Sequence, residues 1–261
     1  MLSYQHAYHA AGPADLHKHI ALAEMLTLLT AKKRGISYVE THAGRGLYDL
    51  AGAESAKTGE AETGLGRFGD AHDGAFGFAL EQTRANYGPD AYPGSPLVAA
   101  NLLRDVDRIT FMELHPGEHQ HLKRAMSGHA AAVHRRDGLE GVLALAPFQP
   151  RRGLVLVDPS YEVKTEYAAI AEFTLKLIRK WPETAIMIWY PLLKAARHGE
   201  MLSKVRARLP VMVDEVTFRQ PPERGMFGSG LALVNAPYGA GSVFSKTHRM
   251  AAAVLVPQSG K

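Results

Sequence analysis

The sequence predicts an α/β fold: a mainly parallel, doubly wound sheet with a late antiparallel hairpin and a small inserted subdomain. Three observations point there. Short apolar runs, each ending in a polar or acidic residue, recur along the chain; stretches with apolar residues at helical spacing separate most of them; and one glycine-rich segment interrupts the alternation. The 261 residues, 46% hydrophobic and 21% charged, suffice for one sizeable core. A single domain over 1–261 is expected, with residues 51–92 as an inserted subdomain or lid within it.

The elements follow in order. Residues 14–33 carry Leu16, Ile20, Ala23, Leu26 and Leu29 at helical spacing, with Asp15 near the start and Lys32, Lys33, Arg34 and Gly35 at the end, so a capped amphipathic helix is expected. Buried parallel strands are expected at 36–40, 109–114, 130–134, 153–158 and 185–190. Helices are expected at 95–104, 117–127, 139–145, 167–181 and 192–209. Strands at 211–218 and 231–235, joined by the breaker-rich stretch 220–230, give the hairpin, and 251–256 reads as a further strand. In 51–92, Phe68, Phe76, Phe78, Leu80 and Tyr87 are scattered among glycines.

Composition narrows the chemistry. With no cysteine, disulfides, thiolate catalysis and Cys-ligated metal sites are excluded. Histidines crowd the start at His6, His9, His17 and His19, but His17 and His19 are two apart and cannot share a ligand on one helix, so no metal site is expected. A formal charge of +4 permits a polyanionic partner. No apolar run reaches the roughly 18 residues of a membrane span, and the first residues lack a leader's apolar core, so a cytoplasmic, membrane-free protein is expected.

In open α/β sheets ligands bind beyond the carboxyl ends of the strands. The first strand ends at Glu40 and runs into Thr41-His42-Ala43-Gly44-Arg45-Gly46, where glycines allow close backbone approach to a ligand. A dinucleotide fingerprint needs a third glycine, but position 49 is Asp. S-adenosyl-L-methionine (AdoMet), with no pyrophosphate, suits the turn better. Glu113 ends the second strand and can accept from a ribose diol. Asp137-Gly138 follows the third and can receive an exocyclic amine, although Asp137 also suits a helix N-cap. The fourth delivers Asp158-Pro159-Ser160-Tyr161. Asp158 and the Pro159 carbonyl can accept both N–H groups of a purine amine, and Tyr161 is expected to stack on the flipped base.

These motifs resemble the RlmJ-type 23S rRNA adenine-N6 methyltransferases over nearly the full chain. The resemblance rests on Leu2-Ser3-Tyr4, His6, His9-Ala10, Ala14-Asp15 with Lys18-His19, Thr41-His42-Ala43-Gly44 with Gly46, and Lys57-Thr58-Gly59-Glu60. It continues through Tyr92-Pro93-Gly94-Ser95-Pro96, Glu113-Leu114-His115-Pro116, Asp137-Gly138, Asp158-Pro159 with Tyr161, and Gly225-Met226. It implies a Rossmann-like class I AdoMet methyltransferase. AdoMet would be held at His19, His42, Gly44, Ser95, Glu113, Asp137, Gly138 and Asp158, with Lys18 beside it. Catalysis would rest on Asp158, Pro159 and Tyr161, and Tyr4 and His6 would lie over the substrate adenine. The implied partner is 23S rRNA, free or in an early large-subunit assembly particle, and the implied state is a monomer.

The chain departs from the family pattern in four places. Ala11-Gly12-Pro13 replaces an expected Gly-Asn, and the insertion is glycine-rich. Ser160 stands where the family usually has a second proline. After Asn235-Ala236-Pro237-Tyr238 the chain is short, so little room is expected for a helix before a last strand. A DNA adenine methyltransferase shares the same corner, and a non-catalytic AdoMet- or nucleic-acid-binding protein is the reading from another class.

Overall fold

A computed structural model describes residues 9–52, 59–68, 74–219, 221 and 225–255. The first helix, α1 (Pro13–Thr30), begins with proline at its first turn, where a missing N–H costs no hydrogen bond. Asp15 Oδ2 accepts the Ala11 N–H at 3.1 Å and ties down the entry. The expected amphipathic helix is instead buried on nearly every side, Lys18 and Glu24 included. It also ends three residues early, because Arg104 takes the carbonyls of Thr30, Lys32 and Arg34 through its guanidinium.

The strands assemble into one seven-stranded sheet. β1 (Ser37–Glu40) is followed by β2 (Leu47–Asp49), and then by α2 (Glu60–Thr63), α3 (Leu65–Phe68) and α4 (Ala75–Tyr87). β3 (Ala91–Pro93) pairs antiparallel with β2, apart from the main sheet, and leads into α5 (Ser95–Leu102). Next come β4 (Arg108–Met112), α6 (Pro116–Ala125), β5 (Ala131–His134), α7 (Gly138–Leu145), β6 (Gly153–Val157) and α8 (Glu166–Lys180). The chain closes with β7 (Thr184–Leu193), α9 (His198–Arg206), β8 (Val211–Thr217), β9 (Met226–Val234) and α10 (Ala240–Leu255).

The main sheet runs β5-β4-β1-β6-β7-β9-β8. Its first four pairings are parallel, and β9 lies antiparallel between β7 and β8. The expected parallel core and late antiparallel hairpin are both present. Helices α1, α4 and α5 pack together, and α10 packs on α1, covering one face around Tyr38, Phe111 and Leu156; α8 and α9 cover the other around Val155, Ile186 and Trp181.

Three expectations are corrected. The stretch 192–209 is not one helix: β7 continues to Leu193, and α9 is confined to His198–Arg206. Two of the glycines expected to break the chain before residue 231, Gly228 and Gly230, lie inside β9. A Cβ at Gly230 would sit 2.1 Å from the Tyr190 ring, so the strand pairs closely there only because the side chain is absent. Finally, 251–255 is helical, the last turns of the 16-residue α10, so room for a helix exists after Tyr238.

Candidate active site

Strand order places the carboxyl ends of β1, β4, β5 and β6 side by side, and the loops that leave them enclose a cavity of about 330 Å³. Gly44 takes φ +64° after β1, and its N–H donates to Glu113 Oε2 at 2.8 Å, tying the first loop to the end of β4. The His115 N–H donates to the other oxygen at 2.7 Å. Glu113 is thus clamped by two backbone amides. Burial nonetheless raises its pKa, and each oxygen keeps a lone pair for a further donor.

Asp137 caps α7, its Oδ1 accepting the Glu140 N–H at 2.8 Å, while it also lines the cavity. Gly138 behind it has no alternative: a Cβ would fall 1.7 Å from the Thr41 carbonyl oxygen. The His42 imidazole bonds Thr41 Oγ1 at 2.7 Å, and burial lowers its pKa, favouring the neutral ring. On the opposite wall, His19 Nδ1 bonds the Tyr92 hydroxyl at 2.8 Å. Ser95 donates to Glu40 Oε2 at 2.7 Å, and Tyr38 donates to Glu40 Oε1 at 2.8 Å. Glu40 is fully buried. Burial pushes its pKa up to about 8 against the opposing effect of those two donors.

Beyond β6, Asp158 Oδ2 accepts from Lys18 Nζ at 2.6 Å. The same ammonium lies 3.0 Å from Asp15 Oδ1 and 5.8 Å from the centre of the Trp189 ring. Burial opposes the charge on Lys18, but Asp15 and Asp158 together outweigh it and raise its pKa. Lys18, His19, His42, Gly44, Ser95, Glu113, Asp137, Gly138 and Asp158 therefore all line one cavity.

The family profile described as ribosomal RNA large subunit methyltransferase D, RlmJ, matches residues 33–261. The chain belongs to the RlmJ family. It is 35% identical to ribosomal RNA large subunit methyltransferase J of Haemophilus influenzae, covering 91% of this chain and 88% of the relative. Its identity to the Escherichia coli protein of the same name is 31%, with the same coverage. A Legionella pneumophila crystal structure superposes with a TM-score of 0.87 at 32% identity over 96% of each chain.

The RlmJ-family site differs from the sequence expectation at Tyr161. Its ring does not face the cavity. Tyr161 has φ +56°, is 7% exposed, stacks 4.4 Å from the Tyr167 ring and donates its hydroxyl to the Trp189 carbonyl at 2.7 Å. A ring held there braces the loop from beneath and offers no stacking face. Ser160 lines the cavity, whereas Tyr4 and His6, as well as Lys57 and Thr58, lie outside the described residues.

Sequence reasoning missed Tyr48, Glu118, Glu162 and Glu166 as cavity residues and Asp15 as the partner of Lys18. For Glu118 a signal was present. It stands three residues after His115, whose Nδ1 accepts the Glu118 N–H at 3.3 Å, and such N-cap spacing is legible. Tyr48 sits on the three-residue β2, too short to carry a pattern.

Proposed function

We infer that the protein transfers a methyl group from AdoMet to the exocyclic N6 of a specific adenine in 23S rRNA. The observation that carries this reading is the Asp158 carboxylate, held by Lys18 in the wall of a cavity that also contains Glu113, Asp137 and Gly138. The donor set fits the cofactor. Glu113 is preset for a ribose diol, and Asp137 for an adenine amine. The absent Cβ of Gly138 lets α7 lie against the first loop, while Gly44, His42, Ser95 and His19 complete the wall. When bound, AdoMet supplies the electrophilic methyl group.

The remaining chemistry belongs to the chain. The adenine amine is a weak nucleophile, its lone pair delocalised into the ring, so both N–H groups must be accepted and the nitrogen aimed. Lys18 takes Oδ2 of Asp158; Oδ1 and the Pro159 carbonyl are the acceptors for the amine, and Asp158 receives the proton as the methyl is transferred. Tyr161 acts from below by fixing the loop. On the family's pattern Tyr4 and His6 are assigned to the substrate adenine and residues 51–92 to an inserted subdomain, and the enzyme works as a cytoplasmic monomer on free rRNA or an early assembly particle.

The test is incubation of deproteinised 23S rRNA and genomic DNA with methyl-labelled AdoMet, followed by nucleoside mass spectrometry. N6-methyladenosine in the RNA is expected, and label confined to DNA would refute the RNA assignment. Asp158→Ala should lower turnover by at least about a hundredfold while AdoMet affinity by calorimetry stays within about twofold. Unchanged turnover would remove Asp158 from the mechanism.

A further inference from the structure

Behind the cavity, five elements contribute to a buried polar array that the reaction above does not use. Trp189 Nε1 on β7 donates to Ser229 Oγ on β9 at 2.9 Å. Ser229 Oγ lies 2.9 Å from His17 Nδ1, and His17 Nε2 lies 3.2 Å from Asp214 Oδ2 on β8. His248 Nδ1 on α10 reaches the other Asp214 oxygen at 2.6 Å. Ser229 and His17 are 0% exposed and Asp214 is 7% exposed, so this Ser-His-Asp set has no access to a hydrolytic substrate.

The end points are fixed: the Trp189 indole N–H can only donate, and an ionised Asp214 can only accept. Burial works against the Asp214 carboxylate, yet His17 and His248 hold its pKa down, leaving an acceptor-only group. His17 Nε2 therefore carries a proton and donates, and in the tautomer that leaves Nδ1 bare the ring accepts there. Ser229, already accepting from Trp189, gives its hydroxyl hydrogen to Nδ1. All donors run one way, from indole to carboxylate, the arrangement in which successive bonds polarise one another.

At its inner end the array fixes Trp189. That residue lies under the reacting corner twice over: its ring is 5.8 Å from Lys18 Nζ, and its carbonyl takes the Tyr161 hydroxyl at 2.7 Å. We propose that His17 is a positioning residue for methyl transfer, acting through Ser229 to hold the Trp189 indole, which lies beside Lys18 Nζ and 6.0 Å from the Tyr161 ring of the Asp158 loop. The role rests on the methyltransferase reading above.

The test uses His17→Ala, His17→Gln and Ser229→Ala in the full chain. It combines turnover on deproteinised 23S rRNA, AdoMet affinity by calorimetry and the indole N–H resonances, of which the two tryptophans, Trp181 and Trp189, give one each. His17→Ala and Ser229→Ala should each lower kcat about tenfold, shift the Trp189 resonance but not that of Trp181, and leave AdoMet affinity within about twofold. Glutamine presents an amide donor and an acceptor in place of the imidazole, so His17→Gln should recover part of the lost kcat. If His17→Ala fails to fold, the glutamine and serine variants decide. Folded variants with unchanged kcat overturn the proposal, whatever their stability. A wild-type protein that methylates neither RNA nor DNA overturns instead the reading on which the proposal stands, and the positioning role with it.

Discussion

Glu40 ends β1 with no exposed surface, and its two hydrogen-bond donors do not compensate for the lost hydration. Its folded-state pKa, about 8, lies above the ordinary 4.5, so the folded state holds a proton that the unfolded chain releases. The resulting stabilisation is full below pH 4.5 and disappears as pH rises through about 8. Glu40→Gln should therefore flatten the decline of denaturant stability over that window; parallel curves for variant and wild type would contradict the assignment. Gly138→Ala is a second prediction. The clash with the Thr41 carbonyl must displace α7 and Asp137, and AdoMet affinity should fall by at least about tenfold in calorimetry, with unchanged affinity as the refuting result. At this scale the sequence was legible in residue type and blind to direction. It marked Asp137 as either cap or ligand-facing group, and the structure places it in both positions. It marked Tyr161 as a stacking ring, but the φ of +56° that turns that ring into the protein leaves no trace in a tetrapeptide.

Elements were legible where both faces of a strand are buried and ambiguous where one short apolar run serves either geometry. Ala251 to Leu255 has no period long enough to separate strand from helix. Its packing against α1 and β8 decides for helix. β7 outran its expected end for a different reason. Its parallel partner β6 ends at Val157, opposite Ile188, and beyond that point β7 bonds only to β9. Pro191 is tolerated on such a half-paired stretch because one side of the strand needs no donor. The dependence of α1 on α10 gives a stability prediction. Phe244, 5% exposed, belongs to the core cluster shared with α1, so Phe244→Ala should cost about 3 kcal/mol in urea unfolding. A loss below about 1 kcal/mol would mean that α10 folds independently of the site it backs.

For the whole molecule, the ordered strand ends carried the functional reading better than any single motif, because sheet topology alone brings residues as distant as His42, Glu113, Asp137 and Asp158 to one cavity. No spacing in the sequence could have revealed the His17 array, whose members meet only after β9 inserts between β7 and β8. The formal charge of +4 leads to a prediction at this scale. Affinity for rRNA should fall by about tenfold or more between low and physiological salt, as the counterions that phosphate contacts release gain less entropy in a more concentrated bath, while AdoMet affinity changes little. A salt-independent RNA affinity in a filter-binding series would refute it.

Helix α1 also imposes an order on synthesis. Lys18 waits for an aspartate 140 residues downstream, and His17 for partners 197 and 212 residues further along. A nascent chain therefore carries Lys18 paired with Asp15 alone long before Asp158 exists to complete the bridge. Chains arrested short of β9 should emerge from the ribosome without a working centre, so this family member becomes competent only after β9 has been made.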